Sequence, residues 1–418
     1  MKIKSIKALE VLDSRGRPTI YTSVNLDDGS FGEAFVPSGA STGSLEAYEL
    51  RDGDGRFNGL GVRRSVKNIT EIIQPNLISH NASDQKDIDN LMLELDGTHN
   101  KKKLGANSIL AVSLAVSRAA ANSLNIPLYE YLNILFKQTF SKNIQMSMPR
   151  PMLNIFNGGG HANNTIDIQE FMILPDTKFE FSEGLRLSSE VYMNLKKILS
   201  NKGLSTTVGD EGGFAPNLNS NEEVIQNIIQ SVEDTGLRFG EDIHLGLDCA
   251  ATEFYEDDMY LLKGEKKQLT SNEMVDYMKN LIEKFGIISV EDPLDENDWS
   301  SWSEITSRCS GTQIVGDDIF VTQSDLLRKG IEEKAGNAIL IKLNQVGSLS
   351  ETLEAINLAK ENNFGTVISH RSGETEDSFI SDLSVAVDAK QIKTGAPARS
   401  DRTAKYNRLL IINSELYP

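Results

Sequence analysis

From residue 152 onward, short apolar runs recur along the chain at a steady pace. They read MLNIF (152–156), EFMIL (170–174), STTVG (205–209), IHLGL (243–247), IISV (287–290), QIVG (313–316), AILI (338–341), TVIS (366–369) and QI (391–392). Longer amphipathic stretches lie between most of them, such as Glu222 to Val232 and Ser271 to Lys284. Strands that are apolar along their whole length are covered on both faces. Strand–helix alternation at this spacing predicts parallel strands joined by crossover helices. Eight strands close a (β/α)8-type barrel, so one of the nine runs is surplus, and the pattern does not mark which.

The first third of the chain has a different texture. Ser5–Leu12 and Ile20–Leu26 alternate as half-buried strands do. Asp28-Gly29, just before Phe31, is a hairpin signal. Ala106 to Leu124 (ANSILAVSLAVSRAAANSL) is rich in Ala, Leu and Ser with few charges, which predicts a buried helix. Pro127 closes this region, and the polar stretch from Lys137 to Pro149 reads as a boundary. The expected class is α/β: a smaller N-terminal α+β capping domain over 1–137, then a catalytic β/α barrel over 138–418.

Composition narrows the partners. The 418 residues carry 42 Lys+Arg against 60 Asp+Glu, a net charge of −18. That balance disfavours nucleic acid and anionic membranes, yet a locally cationic site inside it can still take a small anion. Two cysteines, Cys249 and Cys309, provide no disulfide framework and fit a reducing compartment. No apolar run approaches the ~18–20 residues of a membrane span, and the N-terminus lacks a signal-peptide core. A soluble, cytoplasmic protein is expected.

The chemistry lies at the exits of these runs. Asp248 comes directly after IHLGL, Glu291 and Asp292 after IISV, and Asp317 and Asp318 after QIVG. Lys342 comes after AILI, then His370, Arg371 and Ser372 after TVIS, Lys393 after QI, and Asp210 and Glu211 after STTVG. One charged residue at a strand exit is an ordinary solvated end. Seven exits in register, of mixed sign, point to the catalytic face of a barrel, where strand C-termini gather. Asp248, Glu291 and Asp317 form an oxygen-only set suited to Mg²⁺; without His or Cys beside them, zinc is disfavoured. The competing reading pairs these acids with Lys342 and Lys393 as an ion network. A lysine among cations loses its proton more easily, so either lysine is a candidate general base. Arg371 with Ser372 offers a fork and a hydroxyl for a phosphate. Glu211, in the glycine-flanked VGDEGGFAP turn, is the candidate proton donor. Together they point to proton abstraction beside a carboxylate, with a leaving group departing as water.

Across nearly its whole length the chain resembles the enolase family. The resemblance rests on LDSRGRPT (12–19), VPSGASTG (36–43), LRDGD (50–54), NGGGHANN (157–164), QEFMILP (169–175), VGDEGGFAPN (208–217), LDCAATEFY (247–255), EDPLDENDW (291–299), SHRSGETEDSFISDL (369–383) and IKTGAPARSDRTAKYN (392–407). It implies a ββαα(βα)6 barrel and Mg²⁺-dependent, reversible dehydration of 2-phosphoglycerate to phosphoenolpyruvate, a step of glycolysis and gluconeogenesis. It also implies roles. Lys342 would take the C2 proton, and Glu211, helped by Glu170, would protonate the departing hydroxyl. Asp248, Glu291 and Asp317 would hold one Mg²⁺, and Ser41 would help hold a second. Arg371 and Ser372 would bind phosphate, Lys393 the carboxylate end, and His161, Gln169 and His370 would line the pocket. The loop Pro37–Gly43 would close as a lid. The resemblance further implies a homodimer or an octamer built of dimers, in the cytoplasm, and leaves room for a secondary cell-surface or secreted pool. The chain departs from the family at Arg17, at Ile20-Tyr21-Thr22 and at Asp388-Ala389-Lys390-Gln391. Two alternatives stay open: another proton-abstracting enzyme of the same superfamily, and a binding protein that keeps the fold without turnover.

Overall fold

The computed structural model describes residues 1–39, 43 and 45–418. The chain opens with an antiparallel sheet of β1 (Ile3–Leu12), β2 (Pro18–Leu26) and β3 (Phe31–Phe35). The turn at Asp28-Gly29 joins β2 to β3, with Gly29 at φ +92°, a conformation that costs glycine least. The helix Ala106–Ser123 lies against this sheet and is buried along most of its length. Its small side chains let it approach closely: a Cβ built on Gly32 of β3 would stand 2.2 Å from the Ala119 nitrogen and 2.3 Å from the Ala115 oxygen.

The helix Leu128–Phe140 carries the chain on, and 141–149 leads without regular structure to the barrel. The barrel strands are β4 (Arg150–Asn157), β5 (Glu170–Pro175) and β6 (Ile243–Asp248). A small antiparallel sheet of β7 (Tyr255–Glu256), β8 (Met259–Leu262) and β9 (Lys267–Leu269) interrupts the sequence. The barrel resumes with β10 (Ser289–Glu291), β11 (Gln313–Gly316), β12 (Ala338–Ile341), β13 (Gly365–Ser369) and β14 (Gln391–Lys393), and closes by pairing β14 with β4.

The apolar runs alone read as parallel strands, but the ββαα(βα)6 order implied by the resemblance is the one found. β5 runs antiparallel to both β4 and β6, while β10 to β14 run parallel to their neighbours. Two helices, Phe181–Asn201 and Asn221–Glu233, then bridge β5 to β6. This is the ββαα(βα)6 order. The reversal has a consequence for chemistry, because it brings the first residue of β5 to the mouth. Glu170 stands level with Asn157 at the end of β4 and with Asp248 at the end of β6.

The surplus run is Ser205–Gly209. Ser205, Thr207 and Val208 are exposed, and the segment forms only an isolated bridge from Val208 to Phe214. Its β-prone residues reflect propensity without a neighbouring strand to pair with. Cys249 is buried with its Sγ 3.9 Å from Met278 Sδ, and Trp302 is buried in a helix with its indole N–H donated to the Asp295 carbonyl.

The N-terminal unit is fastened to the barrel near the mouth. Arg118 forms a two-pronged pair with Asp377 at 2.6 and 2.7 Å, Ser38 bridges to Gly373, and Ala47 donates its N–H to the Gln345 carbonyl. Within the expected lid, Ser41 and its neighbours 40, 42 and 44 lie outside the described residues. Among the described residues no single helix is long and apolar enough to cross a membrane.

Replacing Gly32 with valine forces the helix Ala106–Ser123 off β3. Overpacking of this kind costs about 1–3 kcal/mol, so the thermal midpoint is expected to fall by about 1–3 °C, at about 1 °C per kcal/mol for a chain of this length. An unchanged midpoint would contradict this packing.

Candidate active site at the barrel mouth

The strand exits converge. His161, Gln169, Glu170, Glu211, Asp248, Asp317, Lys342, His370, Arg371, Ser372 and Lys393 line one small polar cavity. Glu291 joins them through Lys393. Ser41 lies outside the described residues, so its expected place here stands as an expectation. None of Arg17, Tyr21 and Asp388–Lys390, where the chain departs from the enolase pattern, lines the cavity. A larger open groove beside Arg118 and Asp377 has that charged pair already matched.

Lys393 is the electrostatic centre. Its Nζ lies 2.7 Å from Asp248, 3.0 Å from both Glu291 oxygens and 3.3 Å from Glu170. Burial alone would strip its proton, but Asp248, Glu170 and Glu291 outweigh burial and hold its pKa well above the ordinary lysine value. The acids answer in kind. Burial would raise Asp248, yet Lys393 keeps it low, whereas burial and the Asp248 charge push Glu291 well up.

Asp317 belongs to a second cluster. It accepts from Lys342 Nζ in a short contact, and from Gln345 Nε2 at 2.8 Å. The three acids chosen from the sequence therefore share the mouth but are divided between two lysines. The same pairing reverses the expectation for Lys342. Burial favours its neutral form, but Asp317 dominates and the pKa is pushed up to about 12. Asp292, a strand exit to which the sequence assigns no role, organises this corner. Its carboxylate accepts the N–H groups of Asp317 and Asp318, each at 2.9 Å, and its backbone is held at φ +41°. Burial and the neighbouring Asp317 raise Asp318 to about 8.

On the opposite wall, Glu170, Glu211 and His161 bring ligand atoms within 4.8 Å of one another. Glu211 accepts from Asn154 Nδ2 at 3.0 Å, and His161 Nδ1 stands 3.5 Å from Glu170 and 3.6 Å from Glu211. Two buried carboxyls this close cannot both ionise cheaply. Burial and the Glu211 charge push Glu170 well up. Burial also acts to raise Glu211, but His370, His161 and Arg402 outweigh it and hold Glu211 low. Ionising both is thus opposed, and it is Glu170 that is pushed up, whereas the sequence marked Glu211 as the donor.

The anion wall is built across the two domains. Arg371 donates from both terminal nitrogens to Glu46, at 3.0 and 3.1 Å, and to Asn344 at 2.9 Å; Ser372 Oγ lies 3.3 Å from His161 Nε2. Glu46 sits just after the lid motif and 325 positions from its partner, so no local pattern marks it.

The donor set suits a hard dication. Asp248, Glu291 and Asp317 present buried carboxylate oxygens at the ends of three consecutive parallel strands, and the buried Glu170 Oε2 has no hydrogen-bond partner. Oxygen-rich sets of this kind favour Mg²⁺ over softer metals.

Two family models cover almost the whole chain. "Enolase, N-terminal domain" matches residues 3–132 and "Enolase, C-terminal TIM barrel domain" matches residues 145–417. Their order and extent agree with an N-terminal antiparallel sheet followed by a closed eight-stranded barrel, and the chain belongs to the enolase family.

Proposed function

We propose that this lyase-type, divalent-metal-using chain catalyses the reversible dehydration of 2-phosphoglycerate to phosphoenolpyruvate with Mg²⁺. The observation that carries this reading is the opposition across one cavity of Lys342 and the closely spaced Glu170–Glu211 carboxyl pair. A base on one wall and an acid on the other is what an elimination needs. The Arg371–Ser372 wall favours a phosphorylated substrate over other carboxylates.

Asp248, Glu291 and Asp317 would hold one Mg²⁺, and Ser41 would contribute to a second. When bound, Mg²⁺ offsets the negative charge that develops on the substrate carboxylate as C2 loses its proton. Lys342 takes that proton, which requires its ammonium first to give up both Asp317 and its own proton. The Glu170–Glu211 pair gives its proton to the C3 hydroxyl, which departs as water while the C2–C3 double bond forms. Arg371 releases Glu46 to grip the phosphate, and Lys393 faces the carboxylate end. His161, Gln169 and His370 exclude water around the reacting carbons. A binding protein without turnover would not need both the base and the carboxyl pair.

Purified protein with excess Mg²⁺ and 2-phosphoglycerate is expected to produce the ultraviolet absorbance of phosphoenolpyruvate, and chelation by EDTA to abolish it. No absorbance change with Mg²⁺ present rejects the reading. Lys342→Ala is expected to abolish exchange of the C2 proton with solvent and to lower turnover by about 10²–10⁴-fold or more. Glu211→Gln is expected to retain measurable exchange while losing dehydration. Equal loss of exchange in both variants would contradict the assignment of base and acid to opposite walls.

A further inference from the structure

Arg402 is wholly buried although it leaves an ordinary-looking C-terminal helix, Ser400–Leu416. Its guanidinium reaches four acceptors. Nη1 donates to His370 Nδ1 and to the Arg371 carbonyl, both at 2.6 Å; Nη2 donates to the Ser372 carbonyl at 2.6 Å and to the Asp210 carbonyl at 3.1 Å. Nε lies 2.9 Å from Asp401 Oδ2. The space is built for it: Gly395, at φ +82°, lacks the Cβ that would stand 2.9 Å from Arg402 Cδ.

An arginine has no acceptor atom. His370 Nδ1 must therefore present a lone pair to Arg402, and a neutral ring then carries its only proton on Nε2. On the far side of the ring Nε2 faces Glu211 Oε2 at 3.4 Å, close but outside hydrogen-bond geometry. Burial pushes the His370 pKa down to about 3 despite Glu211, with Arg402 and Lys393 adding to the effect, so the ring is neutral at pH 7.

We propose that Arg402 is a positioning residue that fixes His370 as its Nε2–H tautomer, aims that N–H at Glu211, and anchors the Arg371–Ser372 turn through its carbonyls. An N–H aimed at Glu211 favours an ionised oxygen there. Arg402 thereby acts on the acidic wall through His370, without touching substrate. The catalytic part of this inference rests on the dehydration reading; the tautomer does not.

The test begins with the unmodified protein, labelled with ¹⁵N-histidine and free of substrate. Five histidines give a tractable spectrum, and His370→Asn assigns the ring. The expected result is an unprotonated Nδ1 and a protonated Nε2 for His370 throughout the neutral pH range. A protonated Nδ1 overturns the proposal whatever any variant does. In Arg402→Lys, checked for folding by near-ultraviolet circular dichroism, His370 is expected to populate both tautomers. Turnover is expected to fall by about 10²-fold, with a smaller change in affinity for inorganic phosphate. A folded Arg402→Lys protein that keeps one tautomer and full kcat overturns it too. If the unmodified protein shows no turnover of 2-phosphoglycerate, the dehydration reading fails while the tautomer measurement still decides the geometry.

Discussion

Asp248, Glu291 and Glu170 end up buried in the barrel mouth, and one ammonium, Lys393 Nζ, lies within 3.3 Å of all three. Removing one partner from a buried ion pair costs about 3–5 kcal/mol, because the remaining charge stays desolvated. The carboxylates are therefore tolerated only while cations compensate them. Lys342 performs the same service for Asp317. A divalent cation is a second solution to the same electrostatic problem, and exchanging one solution for the other frees a lysine to act as a base. On this view the acidic excess at the mouth is stored binding energy for a metal and an anionic substrate.

The fold supplies this arrangement through one irregularity and one docking event. The reversal of β5 places Glu170 among strand ends that would otherwise present only their C-terminal residues. Docking of the N-terminal unit, held by Arg118–Asp377 and the Ser38–Gly373 bridge, brings Glu46 onto Arg371. The cavity is thus completed by residues more than 300 positions apart in the chain.

Those two features explain what could be read from the sequence. The strand exits were legible because an apolar run ending in charge is a local pattern, and they identified Asp248, Glu291, Asp317, Lys342, Arg371 and Lys393 as occupants of one mouth. Ser205–Gly209 misled because β propensity says nothing about whether a pairing edge exists. The direction of β5 came from family resemblance, since its run of side chains looks the same in either direction. Asp292, Glu46 and Arg402 were silent for a different reason. Each acts through groups brought near by folding, and an arginine in the first turn of a terminal helix looks solvated until the Arg371–Ser372 turn is packed against it.

The central claim is that Asp248, Glu291 and Asp317 unite around one divalent cation although two lysines divide them here. Anomalous scattering from a crystal grown with Mn²⁺ tests it most directly. The account predicts one strong peak ~2.0–2.2 Å from an oxygen of each of the three acids, close to the distance for Mg²⁺, with Lys342 Nζ withdrawn from Asp317. A peak held by Asp292 and Asp318 instead, with Lys342 still bound to Asp317, would contradict it.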